Sequence, residues 1–202
     1  MQYTLEQCLE QCLEQQKKVD ASIKHDGTYL PWLAGIGEVI EMCEHLSLIS
    51  TWKKQPEPDM KQAFMELVDV FAFALSMKNK TYSSISEDDY SWVINCETLI
   101  SVIHYLIQAF IEKDFDKAHE CIWVIGLKFF GMQGVDVYYY YMGKQTLTQF
   151  RQKNGYKTGD YIKIWHGRED NEYLTEYLEK GLSVEEIENA LELAYSAVIK
   201  ES

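Results

Sequence analysis

The chain has 202 residues, 47% hydrophobic and 25% charged. At roughly 150 residues per domain, it reads as a single domain over 1–202, large enough to bury a core and neither disordered nor collagen-like. The formal net charge of −13 argues against general binding to DNA, RNA or acidic lipid, so neither nucleic acid nor membrane is expected as a partner.

No apolar run reaches the length of a membrane span, and MQYTLEQCLEQCLEQQ lacks the cationic, apolar plan of a signal peptide. A soluble, cytoplasmic protein is expected. The 5 cysteines are an odd number at scattered spacings, and Cys8 and Cys12 stand i,i+4 rather than in a CxxC pair. They read as small buried hydrophobes in a reducing compartment. Only 3 prolines occur, at positions 31, 56 and 58, and the long proline-free remainder favours helices.

In chain order, residues 3–20 carry Leu5, Leu9, Leu13 and Val19 on one stripe, predicting a first helix. After HDGTYLP, Pro31 suits the first turn of a second helix, about 31–48, through Ile36, Val39, Ile40 and Cys43. KKQPEPD is a loop, and a third helix runs about 59–78 through Phe64, Leu67, Val68, Phe71 and Leu75. KNKTYSSISEDD (78–89) reads as a connection, with Ser86 an N-cap before Glu87. Helical patterns then cover 88–112, including Trp92 and Ile94, and 114–143, where Gly126, Gly131 and Gly134 are candidate kinks. A smaller, mobile helical part is expected within about 80–145. Short helices near 169–180 and 183–200 close the chain, the last with a Ser183–Glu186 capping box. YIKIW alternates but is too short to establish a strand. The fold class is all-α.

Charge is unevenly spread. Residues 151–168 hold Arg151, Lys153, Lys157, Lys163 and Arg168 against Asp160 alone, whereas the residues beyond are strongly acidic. A basic, glycine-containing segment in an acidic protein suits a local anion site; a solvated loop balancing acidic neighbours gives the same pattern.

Acids also interrupt apolar helices. Glu38 and Glu41 stand i,i+3 on the second helix, Glu66 and Asp69 i,i+3 on the third. The third helix is apolar nearly all round, so Glu66 and Asp69 are expected to be buried with it. An unpaired buried carboxylate costs several kcal/mol, and no Lys or Arg stands at helical spacing to offset it. The short PEP loop makes the two helices antiparallel neighbours, so the pairs can face each other across a divalent cation. Hard Mg²⁺ with its oxygen ligands fits. An acid pair sharing a proton, or acids paired with distant lysines, remain open. A di-iron centre is disfavoured, because neither helix carries Glu-x-x-His.

Glu38-Val39-Ile40-Glu41 followed by Glu66-Leu67-Val68-Asp69 is similar to the ExxE…ExxD signature of the all-α nucleoside triphosphate pyrophosphatases. ELVDVFAFALS (66–76) resembles the third-helix motif of the dimeric dUTPases, and FRQKNGYKTGDYIKIWHGREDNEYL (150–174) resembles their C-terminal phosphate-binding motif. LEQQKKVDASI (13–23) and the PW at 31–32 match more loosely. The resemblance implies a multi-helix bundle with antiparallel metal-binding helices and Mg²⁺-dependent hydrolysis of dUTP, and usually dUDP, to dUMP. Such a reaction sanitises the nucleotide pool and supplies the precursor of dTMP. Glu38, Glu41, Glu66 and Asp69 would hold two or more Mg²⁺ ions, with Mn²⁺ a possible substitute, and Glu38 would act as general base toward water attacking the β-phosphorus. Arg151, Lys157 and Lys163 would clamp phosphate oxygens and close over the site. Asn154, Tyr161, Asp170 and Asn171 are candidates for phosphate or sugar, with capping of the next helix the alternative for the last two.

For the base, the resemblance points to Gln16, Asp20, Trp32 and Trp52, the tryptophans also reading as core. Asp20 stands where the family carries Asn, Thr51-Trp52 where it carries two tryptophans, and Phe71-Ala72-Phe73 where it carries WHF. An Asp can accept from the exocyclic amine of cytosine, so a dCTP or dual dCTP/dUTP pyrophosphatase is one alternative. A MazG-like pyrophosphatase of broad specificity is another, disfavoured by the basic segment. A non-catalytic helical interaction protein is the alternative from a different class. The apolar stretch 92–142, with YYYYM at 138–142, suits a homodimer interface or a buried core helix.

Overall fold

The computed structural model describes residues 5–22, 29–49, 57–80, 96–133 and 135–201. Among them are eight α-helices and almost no sheet, the all-α class that the periodicity predicts. The chain divides into two compact units, Met1–Tyr138 and Tyr139–Ser202. Trp52, the Ser86 cap, Trp92, Ile94 and Gly134 lie outside the described residues.

The first unit contains α1 (Leu5–Ser22), α2 (Pro31–His45), α3 (Met60–Lys80), α4 (Leu99–Glu112), α5 (Phe115–Val124) and a π-helical turn (Ile125–Phe129). Its hub is α3, whose Leu67, Val68, Phe71, Ala74 and Leu75 are fully buried and which packs against α1, α2 and α5. Burying one large apolar side chain stabilises by about 1.5–3 kcal/mol, so this helix has little freedom to rotate. Pro31 occupies the first turn of α2, where its missing N–H is no loss. Ser47, in the left-handed region, follows the end of α2 at His45, short of the expected 48. The Asp59 N–H then donates to the His45 carbonyl at 2.9 Å, and the Asp59 carboxylate accepts from the N–H groups of Lys61 and Gln62 at 3.1 and 3.0 Å. Those bonds start α3 and return it antiparallel to α2. On the far side of α2, Gly35 lets α4 approach so closely that a Cβ there would sit 2.2 Å from the Phe110 ring.

Two expected helices differ from what is found. Of the one placed at 88–112, residues 88–95 lie outside the described residues; the described helix starts at Leu99, where Thr98 caps it by accepting the Ser101 N–H at 3.2 Å. The one placed at 114–143 is two helices: α5, capped by Asp114, runs into the π turn and stops, and Gly131 adopts a left-handed backbone. A new helix, α6 (Asp136–Lys153), then continues well past the expected end, so the glycines mark a break rather than a kink.

Most of α6 belongs to the second unit, with a 3₁₀ turn (Tyr156–Thr158), strands β1 (Ile164–Trp165) and β2 (Arg168–Glu169), α7 (Asp170–Glu179) and α8 (Val184–Glu201). The basic segment 151–168 thus runs from the end of α6 through the 3₁₀ turn into a small antiparallel ribbon, Ile164 opposite Glu169 and Trp165 opposite Arg168. Its two-residue turn is His166-Gly167, both with positive φ (47° and 83°), which matches the right-handed twist of a tight hairpin. Trp165 is fully buried against Phe150, Tyr173 and Tyr195. The Ser183–Glu186 capping box is present: the Glu186 N–H donates to Ser183 Oγ at 3.3 Å and the Ser183 N–H to Glu186 Oε2 at 2.8 Å.

Of the five cysteines, Cys12, Cys43 and Cys121 are buried and Cys8 and Cys96 half-buried. Burial pushes the Cys121 thiol up to about 12, as suits a structural side chain rather than a reactive one. Among the described residues, no helix is long and apolar enough to cross a membrane.

Candidate active site

The antiparallel pairing of α2 and α3 brings three of the four singled-out acids together. Glu38, Glu66 and Asp69 each offer a carboxylate oxygen, and these oxygens lie within 4.8 Å of one another. All three are partly buried. The i,i+3 spacing on α3 sets two of the acids side by side, and the packing of α2 delivers the third. Full burial was expected for Glu66 and Asp69; instead they sit at the rim, Glu66 keeping 14% of its side chain exposed, so the cluster stays accessible from solvent. Glu41 stands outside the triad and is exposed, because Val39, Met42 and Cys43 take the inward face of α2.

Unit charges this close repel by about 1 kcal/mol per pair in water and about 3–4 kcal/mol at a protein surface. An all-oxygen donor set on two rigid helices, half shielded from water, fits a hard divalent cation such as Mg²⁺ or Mn²⁺. His45, one turn beyond Glu41, brings Nε2 to 3.8 Å from Glu66 Oε1, a neighbour of the triad that the i,i+3 acid pattern did not identify.

Toward the C-terminal end of α3, a second polar group forms against α1. Gln16, only 4% exposed, donates through Nε2 to Asp20 Oδ1 at 3.1 Å and to Ser76 Oγ at 2.9 Å. Ser76, fully buried, donates to Asp20 Oδ1 at 2.8 Å, and Asn79 Nδ2 to Asp20 Oδ2 at 3.4 Å. Tyr29 hydrogen-bonds with Ser76, and burial, with the Asp20 charge adding, raises its phenol above the usual value. Its ring lies 6.4 Å from that of Phe73, both half-buried. Gln16 and Asp20 are thus brought together, and Trp32 is half-buried on α2. Tyr29, Ser76 and Asn79 were missed. Ser76 was nonetheless readable, as a polar residue seven positions after Asp69 on the same face of an apolar helix.

In the second unit the basic hairpin is held from inside. Arg151 donates through Nε to Asp170 Oδ2 at 2.8 Å and through Nη2 to Asp170 Oδ1 at 2.7 Å and Asn171 Oδ1 at 3.1 Å. The Tyr161 hydroxyl donates to Asp170 Oδ2 at 2.7 Å, and the Asn171 N–H to Asp170 Oδ1 at 2.9 Å. Asp170 has no exposed surface. Of its two expected roles, nucleotide contact or capping of α7, the second belongs to Glu169, in a box with Glu172, and the Asp170 carboxylate bonds to Arg151, Tyr161 and the Asn171 N–H. Burial works against the Arg151 charge, but the hydrogen bonds and charge of Asp170 outweigh it and raise the guanidinium above its usual value. Burial and the bond to Asp170 likewise raise the Tyr161 phenol, keeping it a protonated donor. Asn154 Nδ2 donates back to the Phe150 carbonyl at 2.9 Å. Lys163 pairs with Glu169 at 2.9 Å, both about half exposed, a contact worth little in water. Lys157 is exposed on the 3₁₀ turn between Gly155 and Gly159, which both have positive φ.

No curated protein matches the chain. The sequence model of a protein family, described as dUTPase, matches residues 8–156. That span includes the triad, Glu41 and the Gln16–Asp20–Ser76 group, and it ends inside the basic segment, at Tyr156. A match over well over half of the chain, centred on the helices that assemble the acids, makes this protein a member of the dUTPase family, a dUTP diphosphatase.

Proposed function

We propose that the protein hydrolyses dUTP, and dUDP, to dUMP with Mg²⁺ held by Glu38, Glu66 and Asp69. Glu41 would complete the ligand set for a second ion, and Mn²⁺ would substitute. The observation that carries this is the convergence of three carboxylate oxygens within 4.8 Å across two antiparallel helices. When bound, the metal supplies neutralisation of phosphate charge and a water of lowered pKa.

The protein's own residues divide the remaining work. A Glu38 carboxylate oxygen takes the proton of the attacking water. The water oxygen bonds to the β-phosphorus while the bond from that phosphorus to the oxygen bridging toward the α-phosphate breaks, leaving dUMP and pyrophosphate. Lys157 and Lys163, both exposed, and the Arg151 guanidinium supply positive charge to the phosphate chain. Tyr161, Asn154 and Asn171 line that segment as hydrogen-bonding groups, and Asp170 positions Arg151 and Tyr161 rather than touching the nucleotide. Gln16 and Asp20, with Trp32 and Trp52, serve the base. Both units then belong to one catalytic domain, working in the cytoplasm as a homodimer.

The test is dUTP turnover with and without Mg²⁺ in the wild type and Glu38→Gln. Turnover should require the metal and fall by several orders of magnitude in the variant, with the melting temperature unchanged. Metal-independent turnover, or full activity of Glu38→Gln, would remove the reading.

A further inference from the structure

We infer that the second ion of the site is of a different kind from the first: a first-row transition metal such as Co²⁺ or Zn²⁺, held by the imidazole of His45 together with Glu41 and Glu66. This rests on the metal reading of the triad and adds to it a nitrogen donor and a metal preference.

The first observation is distance. His45 Nε2 lies 3.8 Å from Glu66 Oε1, too far for a hydrogen bond. Two donors that share one ion, each about 2.1 Å from it, lie no more than about 4.2 Å apart. The separation therefore rules out direct hydrogen bonding and leaves the pair within the span of a single ion. Among the described residues the imidazole makes no hydrogen bond. With 37% of the side chain exposed, an ion reaches it from solvent.

The second observation is how the fold holds the ring there. Glu38, Glu41 and His45 stand at i, i+3 and i+7 on α2, along one side of the helix. His45 is the last residue of α2. Its carbonyl accepts the Asp59 N–H at 2.9 Å, which ties this end of α2 to the start of α3, the helix that carries Glu66. Glu41 precedes His45 by four residues, and donors at i,i+4 on a helix are neighbours that can grip one metal ion. Glu66 belongs to both donor sets, with Glu38 and Asp69 in the triad and with His45 beside it. A carboxylate has two oxygens, so it can serve both.

The third observation is the chemistry of the donors. The triad offers only oxygen and suits a hard cation such as Mg²⁺. An imidazole nitrogen suits the borderline transition metals, and for mixed nitrogen and oxygen donors affinity rises from Mn²⁺ to Co²⁺ and beyond. The imidazole also binds as a neutral ligand. It can thus help to hold a second cation without adding a further negative charge to three clustered carboxylates. The two donor sets differ in what they select, the triad a hard ion and the His45 set a softer one.

The experiment uses the full-length protein without nucleotide. Wild type and His45→Gln are loaded with Mn²⁺ and examined by pulsed electron paramagnetic resonance for nitrogen modulation. Co²⁺ is then titrated into both by calorimetry in excess Mg²⁺, and melting temperatures are compared. The wild type should show modulation from a directly bound imidazole and bind Co²⁺ despite the Mg²⁺. His45→Gln should lose the modulation and bind Co²⁺ about tenfold or more weakly, with its melting temperature and Mg²⁺ binding kept. Saturable Mn²⁺ binding by the wild type without nitrogen modulation would overturn the inference, leaving His45 an ion-pair partner of Glu66 and the triad standing. Modulation and Co²⁺ affinity unchanged in folded His45→Gln would overturn the assignment to His45. Failure of the folded wild type to bind any of these ions would overturn both the inference and the metal reading of the triad.

Discussion

Arg151 and Asp170 meet through two hydrogen bonds, Nε to Oδ2 at 2.8 Å and Nη2 to Oδ1 at 2.7 Å, with the carboxylate entirely out of solvent. The bidentate pair joins the end of α6 to the start of α7 across the basic hairpin, and Tyr161 and Asn171 complete its bonding. Removing one partner of a buried pair strands the other, at about 3–5 kcal/mol. Asp170→Ala should therefore lower the unfolding free energy by about 3 kcal/mol, read from urea denaturation. A loss under about 1 kcal/mol would mean that water, not Asp170, satisfies Arg151.

His119 gives the stability a specific acid limb. Burial holds its imidazole at about 4, against the partial opposition of the Asp116 charge and with Lys78 adding to the depression; its ring nitrogen lies 3.0 Å from the Tyr138 hydroxyl. The unfolded chain takes up this proton near pH 6.5, whereas the folded one resists until about 4. Stability is thus lost as pH falls through that window and levels off below it, by about 3 kcal/mol in all. His119→Gln, which keeps a polar partner for Tyr138 without a titrating ring, should flatten this part of the profile. Parallel profiles for the two proteins would show that the ring is not held neutral.

Gly35 should tolerate no side chain. A Cβ would lie 2.2, 2.6 and 2.9 Å from three atoms of the buried Phe110 ring, and overpacking of a rigid core contact costs about 1–3 kcal/mol. Gly35→Ala should lower the melting temperature despite the better helix propensity of alanine, whereas Gly37→Ala, with open space around it, should raise it slightly. A stabilised Gly35→Ala would show that α2 and α4 sit farther apart.

The parts legible in the sequence were those fixed by local rules. Proline scarcity and apolar periodicity gave the helices, and two acid pairs at i,i+3 gave α2 and α3 as the carriers of the triad. Glu41 could not be separated from Glu38 by spacing, because which acid faces α3 depends on how Val39, Met42 and Cys43 seat α2. The burial of Asp170 was not legible because its partners, Arg151 and Tyr161, come from chain segments 19 and 9 residues away. The Gln16–Asp20–Ser76 group needs α1 packed on α3, across separations of 56 and 60 residues, which no local pattern encodes. The break after Phe129 was signalled by Gly131, but a glycine alone does not distinguish a kink from a stop.

Metal binding without nucleotide tests the triad most directly. Mn²⁺ titrated into the folded protein and followed by electron paramagnetic resonance should bind saturably and be displaced by Mg²⁺. Glu66→Gln and Asp69→Asn should each weaken binding by about tenfold or more, on the scale of losing a metal-site contact, and Glu41→Gln less than either. Equal Mn²⁺ affinity in the wild type and in folded Glu66→Gln would contradict the assignment of Glu38, Glu66 and Asp69 as a metal site.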